Sequence, residues 1–142
     1  MKLLIVGGVA GGASAAARAR RLDEKAEITV FERGDYISFA NCGLPYHIGG
    51  AIPSRESLLL MTPDKFLKRF DVNFLTGHTV TDINRKDQSV TVEDRARGVT
   101  FSREYDSLIL APGSTPLIPP IPGADLDGVL VLWTVPDMDA IM

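Results

Sequence analysis

The chain of 142 residues has one cysteine, one tryptophan, two histidines and no long apolar run. A single cysteine excludes an internal disulfide framework and suits a reducing compartment, so a cytoplasmic location is expected. No apolar stretch approaches the length needed to span a bilayer, and no membrane partner is expected. The opening Met1-Lys2-Leu3-Leu4-Ile5-Val6 has one lysine and a very short apolar run before glycines, which reads as a buried strand rather than a signal peptide. The net charge of −3 supplies no electrostatic footprint for nucleic acid. Nothing has the spacing of a metal site, and neither repeats nor low-complexity segments occur. The basic run Arg18-Ala19-Arg20-Arg21 lies within a helical pattern and reads first as a solvated face, second as a phosphate contact.

What remains is an ordinary globular composition, 45% hydrophobic and 23% charged, long enough for one domain with a core. Leu3 to Val6 is a continuous apolar run, as in a strand covered on both faces. Gly7, Gly8, Gly11 and Gly12 form the next turn, and Ala13 to Leu22 is rich in helix formers. Ile28 to Phe31 is a second strand, followed at once by Glu32. Strand, glycine turn, helix, strand and acid make a βαβ unit of Rossmann type within an α/β fold.

Further along, Asn41 or Cys42 is expected to open a helix with Pro45 in its first turn. Thr62-Pro63 is expected to cap a helix running to about Phe70. Val72 to Leu75 reads as a strand. Val80 to Ile83 and Val90 to Val92 alternate as a hairpin, extended by Thr100-Phe101, giving a small antiparallel insertion. Tyr105 to Leu110 is a strand entering Ala111-Pro112-Gly113. Pro136 to Ile141 reads as the opening of a helix, which suggests a fragment.

Gly7 and Gly12 fill the first and third positions of the dinucleotide fingerprint, and Val9 stands at the second. Glu32 lies 20 residues beyond Gly12, the spacing of a carboxylate that bonds a ribose hydroxyl. A helix opening at Gly11-Gly12 presents unpaired amides and its positive dipole end to a phosphate. Cys42 follows shortly after this acid. A place at a helix N-terminus would favour its thiolate, and a lone redox thiol works with a flavin, an incoming disulfide or sulfur, or as a sulfenic acid. The alternative is a small buried residue. His47 and His78 are possible bases, or simply surface or partly buried histidines.

The segment Ser38-Phe39-Ala40-Asn41-Cys42-Gly43-Leu44-Pro45-Tyr46, with the opening Ile5-Val6-Gly7-Gly8-Val9-Ala10-Gly11-Gly12, closely resembles the coenzyme A-disulfide reductases. These belong to the single-cysteine branch of the pyridine nucleotide-disulfide oxidoreductases, with the NADH oxidases, NADH peroxidases and NADH-dependent persulfide reductases. Val9 is normal in that branch. The resemblance extends over the whole chain and implies a Rossmann-like FAD-binding domain, of which residues 1–142 are the N-terminal part. It implies that Gly7, Gly8, Val9, Ala10, Gly11 and Gly12 hold the FAD pyrophosphate. Glu32, with Arg33 beside it, would hold the adenosine ribose. Val80 would touch the adenine through its backbone, and Ala111-Pro112-Gly113 would be a second contact. Cys42 would alternate between thiolate and a mixed disulfide with coenzyme A. Ser14, Arg18 and Arg21, which share one helix face, would meet the nucleotide phosphates of coenzyme A, while Ser38 and Asn41 flank the substrate.

NAD(P)H is implied as hydride donor, coenzyme A disulfide or a persulfide or polysulfide as substrate, and a homodimer as the complete protein. The NAD(P)H-binding and dimerisation domains of such proteins do not fit in 142 residues. The open alternatives are an oxidase or peroxidase of the same branch, and a truncated FAD-binding module without catalysis.

Overall fold

The computed structural model describes residues 1–142, which divide into two compact units. The first comprises Met1–Phe39 and Met61–Gly113. Its parallel sheet has the order β3-β2-β1-β7, with β1 Lys2–Val6, β2 Glu27–Glu32, β3 Asn73–Thr76 and β7 Ser107–Leu110. Strand β1 pairs with β2 in the register Leu3 to Ile28 and with β7 in the register Leu3 to Ser107. The alternation of β1 sorts its side chains onto two cores. Leu3 and Ile5 join Ala13 and Ala16 of helix α1 (Ala10–Leu22) and Phe66 of helix α3 (Pro63–Phe70). Leu4 joins Phe31, Val90 and Val92 on the other face. The continuous apolar run in β1 is therefore explained by cover on both sides.

That second cover is the antiparallel sheet β4 His78–Asn84, β5 Ser89–Asp94 and β6 Val99–Glu104, in which Val80 faces Val92 across the first pair. Its turns are built by short acceptor side chains. Asn84 Oδ1 accepts the amides of Lys86 and Asp87 at 3.1 Å each. Asp94 Oδ1 accepts those of Ala96 and Arg97 at 2.9 and 3.2 Å. Helix α3 starts as the sequence predicts: the Thr62 side chain accepts the Lys65 amide and Pro63 occupies the first turn. It ends at Asp71, whose φ of 50° lies in the left-handed region. The predicted strand Val72–Leu75 is offset by one residue to Asn73–Thr76, and the strand predicted from Tyr105 begins at Ser107.

The second unit comprises Ala40–Leu60 and Ser114–Met142. A 3-10 turn at Asn41–Gly43 leads into the short helix α2, Leu44–Ile48, and a second 3-10 turn spans Arg55–Leu58. Helix α4, Val135–Ile141, packs against α2. Leu44, Leu58, Val135 and Met138 are fully buried. Residues 114–134 form no helix or strand, and Leu117, Ile118, Ile121 and Leu126 stand exposed there. No helix of the chain is long and apolar enough to cross a membrane.

Candidate functional site

The glycine turn between β1 and α1 is fixed by steric limits on two residues. Gly7 has φ +95°, and a Cβ there would fall 2.0 Å from the Ala111 carbonyl oxygen. A Cβ on Gly12 would fall 1.7 Å from the Gly7 carbonyl oxygen. Neither position admits a side chain, because the obstructing atoms are backbone. Gly11 is different, since a Cβ there would meet only the Ala111 methyl at 3.4 Å. Helix α1 has Val9 as its N-cap, with no side-chain cap and no acidic residue in its first turn. Its leading amides and the positive end of its dipole are therefore left to an external anion.

Glu32, at the end of β2, is buried, yet its carboxylate does not lack partners. Oε2 accepts the Gly8 amide at 2.6 Å, and Oε1 accepts the Gly34 amide at 2.7 Å. The acid predicted to bind ribose thus also fastens the glycine turn to the end of β2. A carboxylate has about four acceptor sites, so two remain for hydroxyls. Beside it is a cavity of about 110 Å³ lined by Val6, Gly7, Phe31, Glu32, Arg33, His78, Thr79, Val80 and Pro112. Five of these, Gly7, Glu32, Arg33, Val80 and Pro112, were singled out in the sequence as cofactor contacts. Ala111 closes the turn from the strand side, its amide donating to the Val6 carbonyl at 2.8 Å. Gly113 has φ +73° and open space around its α-carbon.

Sequence reasoning missed how His78 is held in this wall. Nδ1 lies 2.7 Å from the Thr76 carbonyl and Nε2 3.6 Å from Asp94 Oδ2, while Phe31 and Phe101 flank the ring. A lone histidine in a strand gives no signal of such partners, which arrive through sheet pairing. The other histidine, His47, has Nδ1 2.6 Å from the Ile52 carbonyl.

On α1, Ser14, Arg18 and Arg21 are all exposed, consistent with one solvent-facing stripe. Arg20 departs from the expected solvated face. Its side chain is 11% exposed and donates to the carbonyls of Phe70, Asp71 and Glu24 at 2.9, 2.6 and 2.6 Å. Ser38 adopts φ +46°, and its amide donates to the Gly8 carbonyl at 3.2 Å.

Asn41 and Cys42 belong to the second unit, where both are exposed. The helix predicted to open at these residues begins instead at Leu44 and has five residues. Leu44, before Pro45, is itself helical at φ −54° and ψ −51°, and the residues ahead of it wind as a 3-10 turn rather than as α-helix. Cys42 therefore sits in the 3-10 turn ahead of α2. That turn is bracketed by backbone bonds: the Ala40 amide donates to the Leu58 carbonyl at 2.9 Å, and the Gly43 amide to the Ala40 carbonyl at 2.9 Å. A Cβ on Gly43 would press on Leu58 Cδ2 at 2.6 Å, so the turn lies directly on Leu58.

Known proteins match this chain over nearly its whole length. The coenzyme A disulfide reductase of Staphylococcus haemolyticus is 46% identical over 140 residues, 99% of this chain and 31% of that protein. The structure of reduced Bacillus anthracis CoADR-RHD superimposes with a TM-score of 0.95 at 48% identity, covering 99% of this chain and 25% of that one. A NAD-dependent persulfide reductase from A. fulgidus superimposes with a TM-score of 0.93 at 34% identity, covering 99% and 27%. The chain thus spans about a third of the length of the curated relatives it matches. The family profile described as pyridine nucleotide-disulphide oxidoreductase matches residues 1–142 from end to end, and the chain belongs to that family.

Proposed function

We propose that this chain is the N-terminal part of the FAD-binding domain of an NAD(P)H-dependent disulfide reductase of the coenzyme A-disulfide or persulfide type, and that it carries the enzyme's redox thiol. One observation carries the reading: Gly7, Glu32, Arg33, Val80 and Pro112 converge on one cavity next to a helix N-terminus that the chain itself leaves uncapped. The relatives named for coenzyme A disulfide and persulfide reduction supply the substrate class.

The residues fit a flavin dinucleotide. The leading amides of α1 would hold the pyrophosphate, and the absent Cβ atoms of Gly7 and Gly12 let the turn close tightly on Ala111 and on itself to present those amides. The remaining acceptor sites of Glu32 suit ribose hydroxyls, with Arg33 at the rim of the cavity. Val80 would touch the adenine through its backbone, and Ala111, Pro112 and Gly113 would form a second contact where the end of β7 meets the cofactor. Bound FAD supplies a two-electron relay between NAD(P)H and sulfur.

Cys42 performs the sulfur step. Its thiolate attacks one sulfur of the substrate disulfide, forming a mixed disulfide, and the other sulfur leaves as a thiolate. The exposure of Cys42 leaves its Sγ open to a substrate as large as coenzyme A disulfide. Ser38 and Asn41 flank that substrate, and the exposed stripe Ser14, Arg18 and Arg21 pairs with its nucleotide phosphates. The complete protein is proposed to be a cytoplasmic homodimer, with the NAD(P)H site outside these residues.

Titration of the 142-residue chain with FAD tests the cradle. Quenched flavin fluorescence that saturates supports it, and no quenching sinks it. The thiol is tested by the rate of Cys42 with 4,4′-dithiodipyridine. A rate no faster than that of the urea-unfolded chain removes the redox reading.

A further inference from the structure

The 3-10 turn that carries Cys42 has few bonds of its own, and its partners form a chain within the second unit. The Ala40 amide is held by the Leu58 carbonyl, and Gly43 rests on the Leu58 side chain. Leu58, 1% exposed, ends the 3-10 turn Arg55–Leu58. At the other end of that turn, Arg55 reaches α4. Its Nε donates to Asp139 Oδ1 at 2.7 Å and its Nη2 to Asp139 Oδ2 at 2.6 Å. This is the two-pronged arginine–carboxylate geometry, which fixes direction as well as distance. Asp139 sits on α4 between the buried Met138 and the helix end, and α4 packs on α2, the helix that follows Cys42. The turn under Cys42 is therefore held from both ends by α4: through α2 on one side, and through Arg55 and Leu58 on the other.

We propose that Arg55 and Asp139 are positioning residues for Cys42, forming a clasp 84 positions apart in sequence that sets the 3-10 turn on which the thiol is presented. The proposal rests on the reading of Cys42 as the redox thiol. The clasp acts through Leu58, whose carbonyl and side chain support the residues on either side of Cys42. An ordinary surface ion pair would contribute little and could be lost without local effect. A clasp would instead loosen one turn selectively, because Leu58 loses its anchor while the parallel sheet is untouched.

The test uses the 142-residue chain, in which Cys42 is the sole thiol and labelling is unambiguous. Arg55→Gln, Asp139→Asn and the reversed pair Arg55→Asp with Asp139→Arg are compared by amide hydrogen exchange and by the rate with 4,4′-dithiodipyridine. Each single variant is expected to speed exchange at the Ala40 and Gly43 amides at least tenfold. It is also expected to move the Cys42 rate at least threefold toward that of the unfolded chain. The reversed pair is expected to restore both to within twofold. Exchange at Ala40 and Gly43 within twofold of wild type in the single variants overturns the proposal. So does a uniform rise that includes the Ile5 and Val30 amides, which marks the pair as a general stabiliser, and so does failure of the reversed pair to restore the turn. A wild-type Cys42 that already reacts at the unfolded rate removes the redox reading alone, and the exchange measurement still decides the clasp.

Discussion

Glu32 Oε2 accepts the amide of Gly8 at 2.6 Å, and through this bond the end of β2 grips the turn that opens α1. The second oxygen takes the Gly34 amide at 2.7 Å, so one buried carboxylate organises two loops. Glu32→Gln tests this division of labour. Glutamine has one acceptor oxygen, and its NH₂ group would face either Gly8 or Gly34, donor against donor. The expected cost is about 2–3 kcal/mol, from one lost charge-assisted bond and one orphaned buried amide. Urea unfolding of the variant, without any flavin present, measures it. A loss below about 0.5 kcal/mol would mean that the carboxylate serves only a ligand.

Gly11, Gly12 and Gly113 are not equivalent, and their alanine variants should separate. Gly12→Ala drives a Cβ to 1.7 Å from a backbone oxygen and is expected to cost at least about 3 kcal/mol. Gly11→Ala meets only a methyl at 3.4 Å, and the better helix propensity of alanine offsets that contact, so stability stays within about 0.5 kcal/mol of wild type. Gly113→Ala has open space but a φ of +73°, which places its cost at about 1–2 kcal/mol. Thermal melts of the three variants check the order Gly12, Gly113, Gly11, and equal losses at Gly11 and Gly12 would contradict the steric account.

Arg20 should prove structural where its neighbours do not. Its guanidinium ties the carbonyls at the ends of α1 and α3, on Glu24, Phe70 and Asp71. Arg20→Ala leaves helix-end carbonyls without that donor and is expected to cost about 2–3 kcal/mol. Arg20→Lys should recover less than half, since an ammonium cannot reproduce the planar fork. Arg18→Ala and Arg21→Ala, on the exposed stripe, should leave stability within about 0.5 kcal/mol and weaken only anionic substrates. Denaturant midpoints of the four variants provide the check.

These residues mark where the sequence was readable. The βαβ unit was legible because its first strand is a continuous apolar run, its second is short and rich in β-branched residues, and its turn is made of glycines, signals that lie within a few residues. Helix α3 was legible for the same reason, since Thr62 and Pro63 announce its start locally. Arg20 was not, because its partners Phe70 and Asp71 lie 50 and 51 residues away and a basic run looks the same whether solvated or clamped. The start of α2 is later than the sequence suggests because Pro45 fixes a first turn without fixing its first residue; Gly43 takes the cap and the preceding residues are held by Leu58. In the site, the contacts near the fingerprint were legible by spacing, while the fixing of His78 by Asp94 depends on the register of β4 with β5.

Acidification should release α4 before the rest of the chain, and Trp133 reports it. Burial pushes the Asp137 carboxyl up, but bonds from the Thr134 side chain and from the Thr134 and Trp133 amides together outweigh this and hold it below its ordinary value. The Arg55 hydrogen bond holds Asp139 below its ordinary value in the same helix. A carboxyl lowered in the folded state contributes stability that is fully present above its unfolded value, near 4, and lost as pH falls through the folded one. The window therefore lies below about pH 4. The Trp133 amide donates to Asp137 Oδ2 at 3.1 Å, so the only tryptophan sits on the cap itself. Its fluorescence should change below pH 4 while the far-UV signal of the sheet persists. In Asp137→Asn that acid step should shrink, and Thr134→Ala, which removes the reciprocal cap, should lower the stability of α4 at neutral pH by about 1 kcal/mol. A fluorescence step of wild-type size in Asp137→Asn would assign the acid transition to other carboxylates.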